Sequence, residues 1–198
     1  MFTDLVLVPL APDNLSAFQQ LLGRTEFGGC FCAVWTHHDA DWEACCNDPL
    51  QPNLARTRED VQSGRQAGFL VEHRVAPQES GEIIAWTGAG PKSEFPGLRS
   101  RLGARKSQHF TDTWCIGCMA IRADYRGRGV SSAIVAAVMA QARSCGATRV
   151  EAYPTDPWDE PRSYRGALST YTRAGFREVC READGESQIV LLQASLQG

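Results

Sequence analysis

The pattern of apolar and polar positions predicts strands and helices that alternate along the chain. The first apolar run, "LVLVPL", predicts a short strand, and "PDNLSAFQQLLG" predicts a helix that Asp13 or Asn14 caps and Gly23 ends. A second helix is predicted for "NLARTREDVQSG", with Asn53 as its cap. Between the two helices, residues 24–52 follow neither a helical nor a strand period, which predicts an irregular or short-helical segment.

The second half of the chain predicts a sheet with one parallel pair. The runs "GFLVEHRVA" and "EIIAWTGAG" predict a hairpin across the polar turn "PQESG", and "PKSEFPGLRSRLGARKSQHFTD" predicts a surface excursion. A strand "TWCIGCMAI", a glycine-rich junction "DYRGRGVSS", a helix "VSSAIVAAVMAQARSCG" and a strand "TRVEAYP" then predict two parallel strands joined by a crossover helix. A further helix, "RSYRGALSTYTRAG", and an antiparallel pair, "FREVCREA" with "SQIVLLQ", complete the predicted order.

Composition narrows the class of protein. The chain has 198 residues, of which 43% are hydrophobic, so we expect one soluble domain or a tight pair. A net charge of -3 argues against a general nucleic-acid binder, which needs a basic face. We find neither a basic leader nor an apolar run long enough to span a bilayer, and we therefore expect a cytoplasmic protein without a membrane partner.

Eight cysteines raise the questions of disulfides and of metal. A mid-sized chain without an export signal favours reduced thiols. Cys30-x-Cys32 and Cys115-x-x-Cys118 could together supply four thiolates to zinc, but strand alternation in "TWCIGCMAI" sends Cys115 and Cys118 to opposite faces of a sheet. We therefore expect no metal and interpret these cysteines as small buried apolar side chains.

The junction "DYRGRGVSS" has the composition of an anion site. Gly127 and Gly129 allow a tight bend between strand and helix, and the first amides of the helix favour a negative charge. Arg126, Arg128 and the two following serines add further donors. A strand-to-helix turn with solvated arginines is the alternative interpretation.

Two motifs resemble the GNAT superfamily of acetyl-CoA-dependent N-acetyltransferases. The family signature [QR]-x-x-G-x-[GA] overlays "DYRGRG", which departs from it at Asp124, and a second family element overlays "ALSTYTRAGF", with Tyr164 where many members have asparagine. The stretches "CFCAVW", "NLARTREDV", "IIAWTGAGPKSEFPGL" and "EAYPTDP" look like a bacterial subgroup with a Cys- and Trp-rich N-terminal segment. The resemblance covers nearly the whole chain.

The resemblance implies an α/β (α+β) fold for a single domain over residues 1–198. Its central mixed, twisted sheet would have about six or seven strands, helices on both faces and splayed parallel central strands. It also implies acetyl-CoA as cosubstrate, with the pantetheine arm along Met119, Ala120 and Ile121. The pyrophosphate would lie on Arg126, Gly127, Arg128, Gly129, Val130, Ser131 and Ser132.

The expected reaction is acetyl transfer to a primary amine of a small molecule by direct attack. The resemblance implies Tyr171 as the acid that protonates the leaving thiolate, although its helical spacing also fits core packing. Glu151 is the best-placed candidate base, in competition with Glu82, Asp112 and the His37-His38 pair, and an amine of low pKa needs no strong base. A protein lysine or N-terminal acetyltransferase, and a CoA-binding sensor without turnover, are the alternative functions.

In such a fold, residues 24–52 would form the acceptor side. Cys30, Phe31, Cys32, Trp35 and Trp86 are the predicted acceptor residues, with Trp42 as a further candidate, unless these side chains fill the core. Acidic residues at 39, 41 and 43 could attract a cationic amine or form a solvated turn. A homodimer is a further possibility.

Overall fold

The computed structural model describes residues 4–37, 41, 43–46, 48–65, 68–74, 81–98, 111–158 and 163–197. Within these ranges lie eight strands and five α-helices. The strands are β1 (Leu5–Pro9), β2 (Phe69–His73), β3 (Glu82–Pro91), β4 (Thr113–Ile121), β5 (Arg149–Ala152), β6 (Thr155–Asp156), β7 (Arg177–Asp184) and β8 (Ser187–Ser195). The helices are α1 (Leu15–Leu22), α2 (Ala33–Thr36), α3 (Pro52–Gln62), α4 (Val130–Ser144) and α5 (Leu168–Arg173).

All eight strands belong to one mixed sheet. Its order is β1-β2-β3-β4-β5-β8; β6 follows β5 along one side of β8, and β7 pairs with the other side. The pair β4–β5 is parallel, and the other neighbours are antiparallel. The predicted mixed sheet is therefore confirmed, with one strand more than expected because two-residue β6 is separate from β5.

Helices cover both faces of the sheet, as predicted. On one face, α1, α2 and α3 bury Phe18, Trp35 and Leu54 against the sheet. On the other face, α4 and α5 bury a second cluster. The apolar residues Val130, Ile134, Val138 and Ala142 recur at helical spacing along α4, and all four are buried. None of the helices in the described part of the chain has the length and apolar character that crossing a bilayer requires.

The parallel strands β4 and β5 separate halfway along β4. Their pairing runs from Thr113 opposite Arg149 to Ile116 opposite Ala152, where β5 ends. β4 continues to Ile121 and stays paired with β3 on its other side. The described chain thus leaves residues 117–121 of β4 without a strand neighbour on the β5 side, and we call this stretch the free edge of β4. The predicted splay is confirmed.

A bulge in β4 overturns the expected alternation of its two cysteines. The β3–β4 register shifts between Gly88 and Ala89, opposite Gly117. Because the extra residue reverses the facing of the residues after it, Cys115 and Cys118 both face the core that contains Trp35. The prediction that these cysteines lie on opposite faces was therefore wrong. No group of three or more His, Cys, Asp or Glu side chains in the described ranges is arranged to hold a metal ion.

Two further local predictions were wrong. Helix α3 begins at Pro52 after Gln51, so Asn53 lies inside the helix, fully buried, and is not its cap. The segment after β3 does not run over the surface at its start, because Lys92 and Phe95 are buried there. The turn at 77–80 and the remainder of that segment, at 99–110, lie outside the described residues.

Candidate active site

A cavity of about 820 Å³ lies beside the free edge of β4. Its walls come from this edge, from the end of α1 and the 3-10 helix after it, from the residues around α2, and from the chain before α5. The lining residues are Leu22, Thr25, Glu26, Phe27, Gly28, Cys30, Cys32, Val34, Trp86, Cys118, Met119, Ala120, Ile121, Arg126, Trp158, Tyr164 and Gly166.

The turn between β4 and α4 leads from the cavity to a helix N-terminus. Gly127 (φ 72°) and Gly129 (φ 84°) are both left-handed, and a Cβ at either position would meet no atom within 4 Å. Backbone conformation rather than space therefore requires glycine here. The first amides of α4, from Val130 to Ser132, have no partner within the helix and carry its positive dipole end.

Two arginines flank this turn in different ways. Arg126 lines the cavity; its Nε donates to the Ile121 carbonyl (2.8 Å) and its guanidinium lies 5.8 Å from the centre of the Phe27 ring. Arg128 is exposed and lies 5.6 Å from the ring centre of Tyr125. Both cations therefore stand beside the predicted anion site.

Asp124, which departs from the family signature, has a local partner. Both of its carboxylate oxygens accept hydrogen bonds from Arg122, at 3.1 and 2.7 Å. Arg122 also binds Glu82, and Tyr125 donates to the same Glu82 carboxylate (2.6 Å). This network ties β3 to the residues between β4 and α4, so Asp124 helps to hold the turn.

Tyr171 lies directly behind the cavity wall. Its hydroxyl donates to the Arg165 carbonyl (2.9 Å), and its buried ring packs edge-on against Phe176. Burial raises the pKa of Tyr171 far above its ordinary value, so the phenol keeps its proton. Gly166 separates the hydroxyl from the cavity: a Cβ there would lie 2.9 Å from the Tyr171 Oη and 2.6 Å from the Met119 Cε.

Glu151 lies in a buried ion pair rather than on the cavity wall. Its carboxylate accepts from the Lys92 Nζ (2.6 Å), the Tyr153 hydroxyl (2.9 Å) and the Gln193 amide (3.3 Å). The Lys92 and Glu151 side chains are 2% and 1% exposed. The role of general base thus stays a prediction, and one that the buried ion pair argues against.

The competing base candidates also have partners of their own. Glu82 is bound to Arg122, Asp112 pairs with Arg149 (3.2 Å), and His37 lies 3.1 Å from Asp60. His38 lies outside the described residues. Among the described lining residues, the one carboxylate is Glu26, which is 3.7 Å from Arg126.

The five predicted acceptor residues divide into two groups. Cys30, Cys32 and Trp86 line the cavity. Phe31 and Trp35 are fully buried and are not among the lining residues, since Phe31 packs on Phe18 and the Trp35 indole lies against Gly117. The other acceptor-side candidates do not line it either: Asp41 and Glu43 are exposed, while Asp39 and Trp42 lie outside the described residues.

The sequence model of the acetyltransferase (GNAT) family matches residues 31–176, about three quarters of the chain. The chain belongs to this family. It is therefore an acyltransferase, and the matched residues include the free edge of β4 and the turn that opens α4. No curated protein has a sequence that matches the chain significantly.

Solved acetyltransferases share the fold of this GNAT chain at low sequence identity. Aminoglycoside acetyltransferase AAC(6')-Ib with acetyl-CoA has a TM-score of 0.61 and 15% identity, over 97% of this chain and 93% of its own. A putative acetyltransferase from Salmonella typhimurium with its cofactor acetyl-CoA has a TM-score of 0.56 and 13% identity, over 98% and 95%. A putative phosphinothricin N-acetyltransferase has a TM-score of 0.55 and 19% identity, over 98% and 99%.

Sequence reasoning missed several residues in and beside this cavity. Lys92, Glu26 and Gly166 were not singled out, and Cys118 was considered only as a zinc ligand or a core residue. The sequence did hold a signal for a partner of Glu151, because a carboxylate in the predicted strand "TRVEAYP" needs a cation or hydrogen-bond donors once it is buried. The role of Gly166 depends on contacts between distant segments and has no local signal.

Proposed function

We propose that this protein transfers an acetyl group from acetyl-CoA to a primary amine of a small molecule. The observation that carries the proposal is the continuity of the cavity with the free edge of β4 and with the glycine turn that opens α4. Family membership and the CoA or acetyl-CoA in several solved structures of the same fold support it.

The donor would bind along one continuous stretch of backbone. The amides of Val130, Ser131 and Ser132 would take the pyrophosphate, with Arg126 and Arg128 beside it. Past the last β4–β5 pair, residues 119–121 have backbone groups without a strand neighbour on one side, and a pantetheine amide can pair with them as a strand would. The thioester would then lie near Cys118 and Gly166.

The chemistry then needs few groups. The neutral amine attacks the acetyl carbonyl, a backbone N–H of the free edge stabilises the oxyanion, and the carbon–sulfur bond breaks. The attacking nitrogen would give up one proton to solvent. The Tyr171 hydroxyl would leave the Arg165 carbonyl, give its proton to the CoA thiolate and regain one from solvent. We assign Glu151 a positioning role with Lys92: their ion pair spans β4 one residue before β4 and β5 separate.

The cavity wall supports an acceptor with an apolar body. Leu22, Val34 and Trp86 line it on the acceptor side, and Glu26 is the one carboxylate among the described lining residues. Two AAC(6')-Ib structures hold the aminoglycosides ribostamycin and kanamycin. The single carboxylate in the described part of the wall favours a primary amine with one positive charge.

The test is acetyl-CoA-dependent release of CoA thiol across a library of amines, with the acetylated product identified by mass spectrometry. We expect turnover with monoamines of apolar body. Arg128→Glu should weaken acetyl-CoA binding, and Gly129→Trp should abolish turnover because it places a large side chain in a left-handed turn at the anion site.

Gly146→Trp is the matched control. Gly146 follows α4 at its other end, also has a left-handed φ (79°), and is also open within 4 Å. The Gly146→Trp variant should retain acetyl-CoA binding. Acetylation of peptides in preference to the amine library would support a protein acetyltransferase instead, and tight CoA binding without any turnover would support a sensor.

A further inference from the structure

Two sulfur atoms meet at the wall of the cavity. The Sγ atoms of Cys32 and Cys118 lie 3.2 Å apart, although the two residues are 86 positions apart in the sequence. Both cysteines are free thiols, and both line the cavity. The pair therefore combines close approach with a position at the cavity wall, where Cys118 is 6% exposed and Cys32 is 1% exposed.

The surrounding backbone is shaped to hold these two sulfurs. A Cβ at position 88 would overlap both Sγ atoms, so Gly88 makes the space that they occupy. Phe31 and Cys32 are consecutive non-glycine residues with left-handed φ angles of 44° and 62°. Such a conformation costs free energy at each residue and is kept where the surrounding structure requires it. Here it presents the Cys32 side chain to β4.

The two thiols are not equivalent. The hydrogen bond between the two sulfurs, in which either can be the donor, holds the pKa of Cys118 below its ordinary value, with help from the Gly88 backbone. The same hydrogen bond, together with burial, raises the pKa of Cys32. Of the two thiols, Cys118 therefore gives up its proton more readily, and Cys32 is its hydrogen-bond partner. Cys30 lines the same cavity, but burial raises its pKa to about 12.

We propose that Cys32 and Cys118 are a redox-active pair that hydrogen peroxide converts reversibly into a disulfide. The sulfurs need to close from 3.2 Å to about 2.05 Å, a short movement at the cavity wall. The disulfide would fix the turn that precedes α2 against β4, next to Met119.

The oxidation balances in two steps. The Cys118 thiolate attacks one peroxide oxygen, the O–O bond breaks, and the departing hydroxide takes a proton to become water. The sulfur of Cys32 then attacks the sulfenic acid on Cys118, the S–O bond breaks, and a second water leaves. Two thiols are oxidised and one peroxide is reduced to two waters. A dithiol reductant reverses the change by thiol–disulfide exchange.

The experiment treats the full chain with hydrogen peroxide and maps its peptides by mass spectrometry without reduction. We expect a cross-linked pair of peptides, one with Cys32 and one with Cys118, and two fewer of the eight free thiols in the unfolded chain. Dithiothreitol should restore both thiols. Cys32→Ser and Cys118→Ser should lose the cross-link, whereas Cys145→Ser, which removes an exposed cysteine, should keep it.

Two results with the wild-type chain would overturn the proposal. The test therefore does not depend on whether a variant folds. One is oxidation of Cys118 that stops at the sulfinic acid with the Cys32 thiol intact. The other is a disulfide that joins Cys30, rather than Cys32, to either partner.

Discussion

The proposed donor side and the acceptor side of the cavity are built by different means. On the donor side, one continuous stretch from Met119 to Ser132 supplies backbone groups, helped by two glycines with left-handed φ. On the acceptor side, side chains from separate elements meet: the end of α1, the residues around α2, Trp86 on β3 and Tyr164 before α5. A site made of backbone groups keeps its binding groups when most of its side chains are substituted. A site made of side chains changes its lining with each substitution.

We expect the largest effect, a loss of folding stability, at the buried ion pair between Lys92 and Glu151. Lys92→Met leaves the Glu151 carboxylate buried without its cation, which should lower the free energy of unfolding by about 3–5 kcal/mol. The double change Lys92→Met with Glu151→Leu should recover most of that loss. Urea unfolding measures both variants, and a single variant as stable as the wild type would contradict a buried pair.

Tyr171→Phe tests whether Tyr171 is the general acid that protonates the CoA thiolate. Loss of the hydroxyl should lower turnover by about 100-fold, because general acid catalysis typically contributes a factor of that order or more. Acetyl-CoA affinity should hardly change, since the ring keeps its contact with Phe176. Single-turnover kinetics and calorimetric binding separate the two quantities. Unchanged single-turnover rates would remove Tyr171 from the mechanism and leave it a core residue.

Gly166→Ala should reduce turnover more than Gly175→Ala. Both glycines flank α5 with left-handed φ (79° and 90°), so both variants should lose about 1–2 kcal/mol of stability. A Cβ at 166 would also press on Met119 and on the Tyr171 hydroxyl, whereas one at 175 would meet nothing within 4 Å. Steady-state kinetics beside thermal unfolding measure the difference. Equal losses of turnover would mean that backbone strain alone matters.

The smallest effect is expected on the acceptor side, at Glu26. Glu26→Gln should raise KM for a cationic amine by about two- to five-fold, the range of a partly exposed charge interaction. Glu43→Gln is the matched control, because Glu43 is exposed in the same segment and does not line the cavity. Initial rates over a range of amine concentrations measure both. An equal change in the two variants would indicate a general effect of net charge.

Much of the fold could be predicted because it depends on local patterns. The apolar stripe of α4, the parallel pair β4–β5 and the closing hairpin β7–β8 follow from periodicity and turn residues, and the structure confirms them. Local reasoning failed at Asn53, because the helix begins at Pro52 and its cap position is Gln51, two residues before the predicted cap. It failed again at Cys115 and Cys118, because a bulge at Gly117 interrupts the alternation.

The sequence by itself determined the donor-side turn, since Gly127, Gly129 and the start of α4 act through backbone angles and unpaired amides within one short stretch. Only the tertiary structure decided that Trp35 fills the core while Cys32 reaches the cavity and meets Cys118. The physical reason is the separation in sequence between the residues that interact. Backbone conformation is set by neighbouring residues, whereas contacts across 86 positions exist only once the sheet has formed and the helices have packed on it.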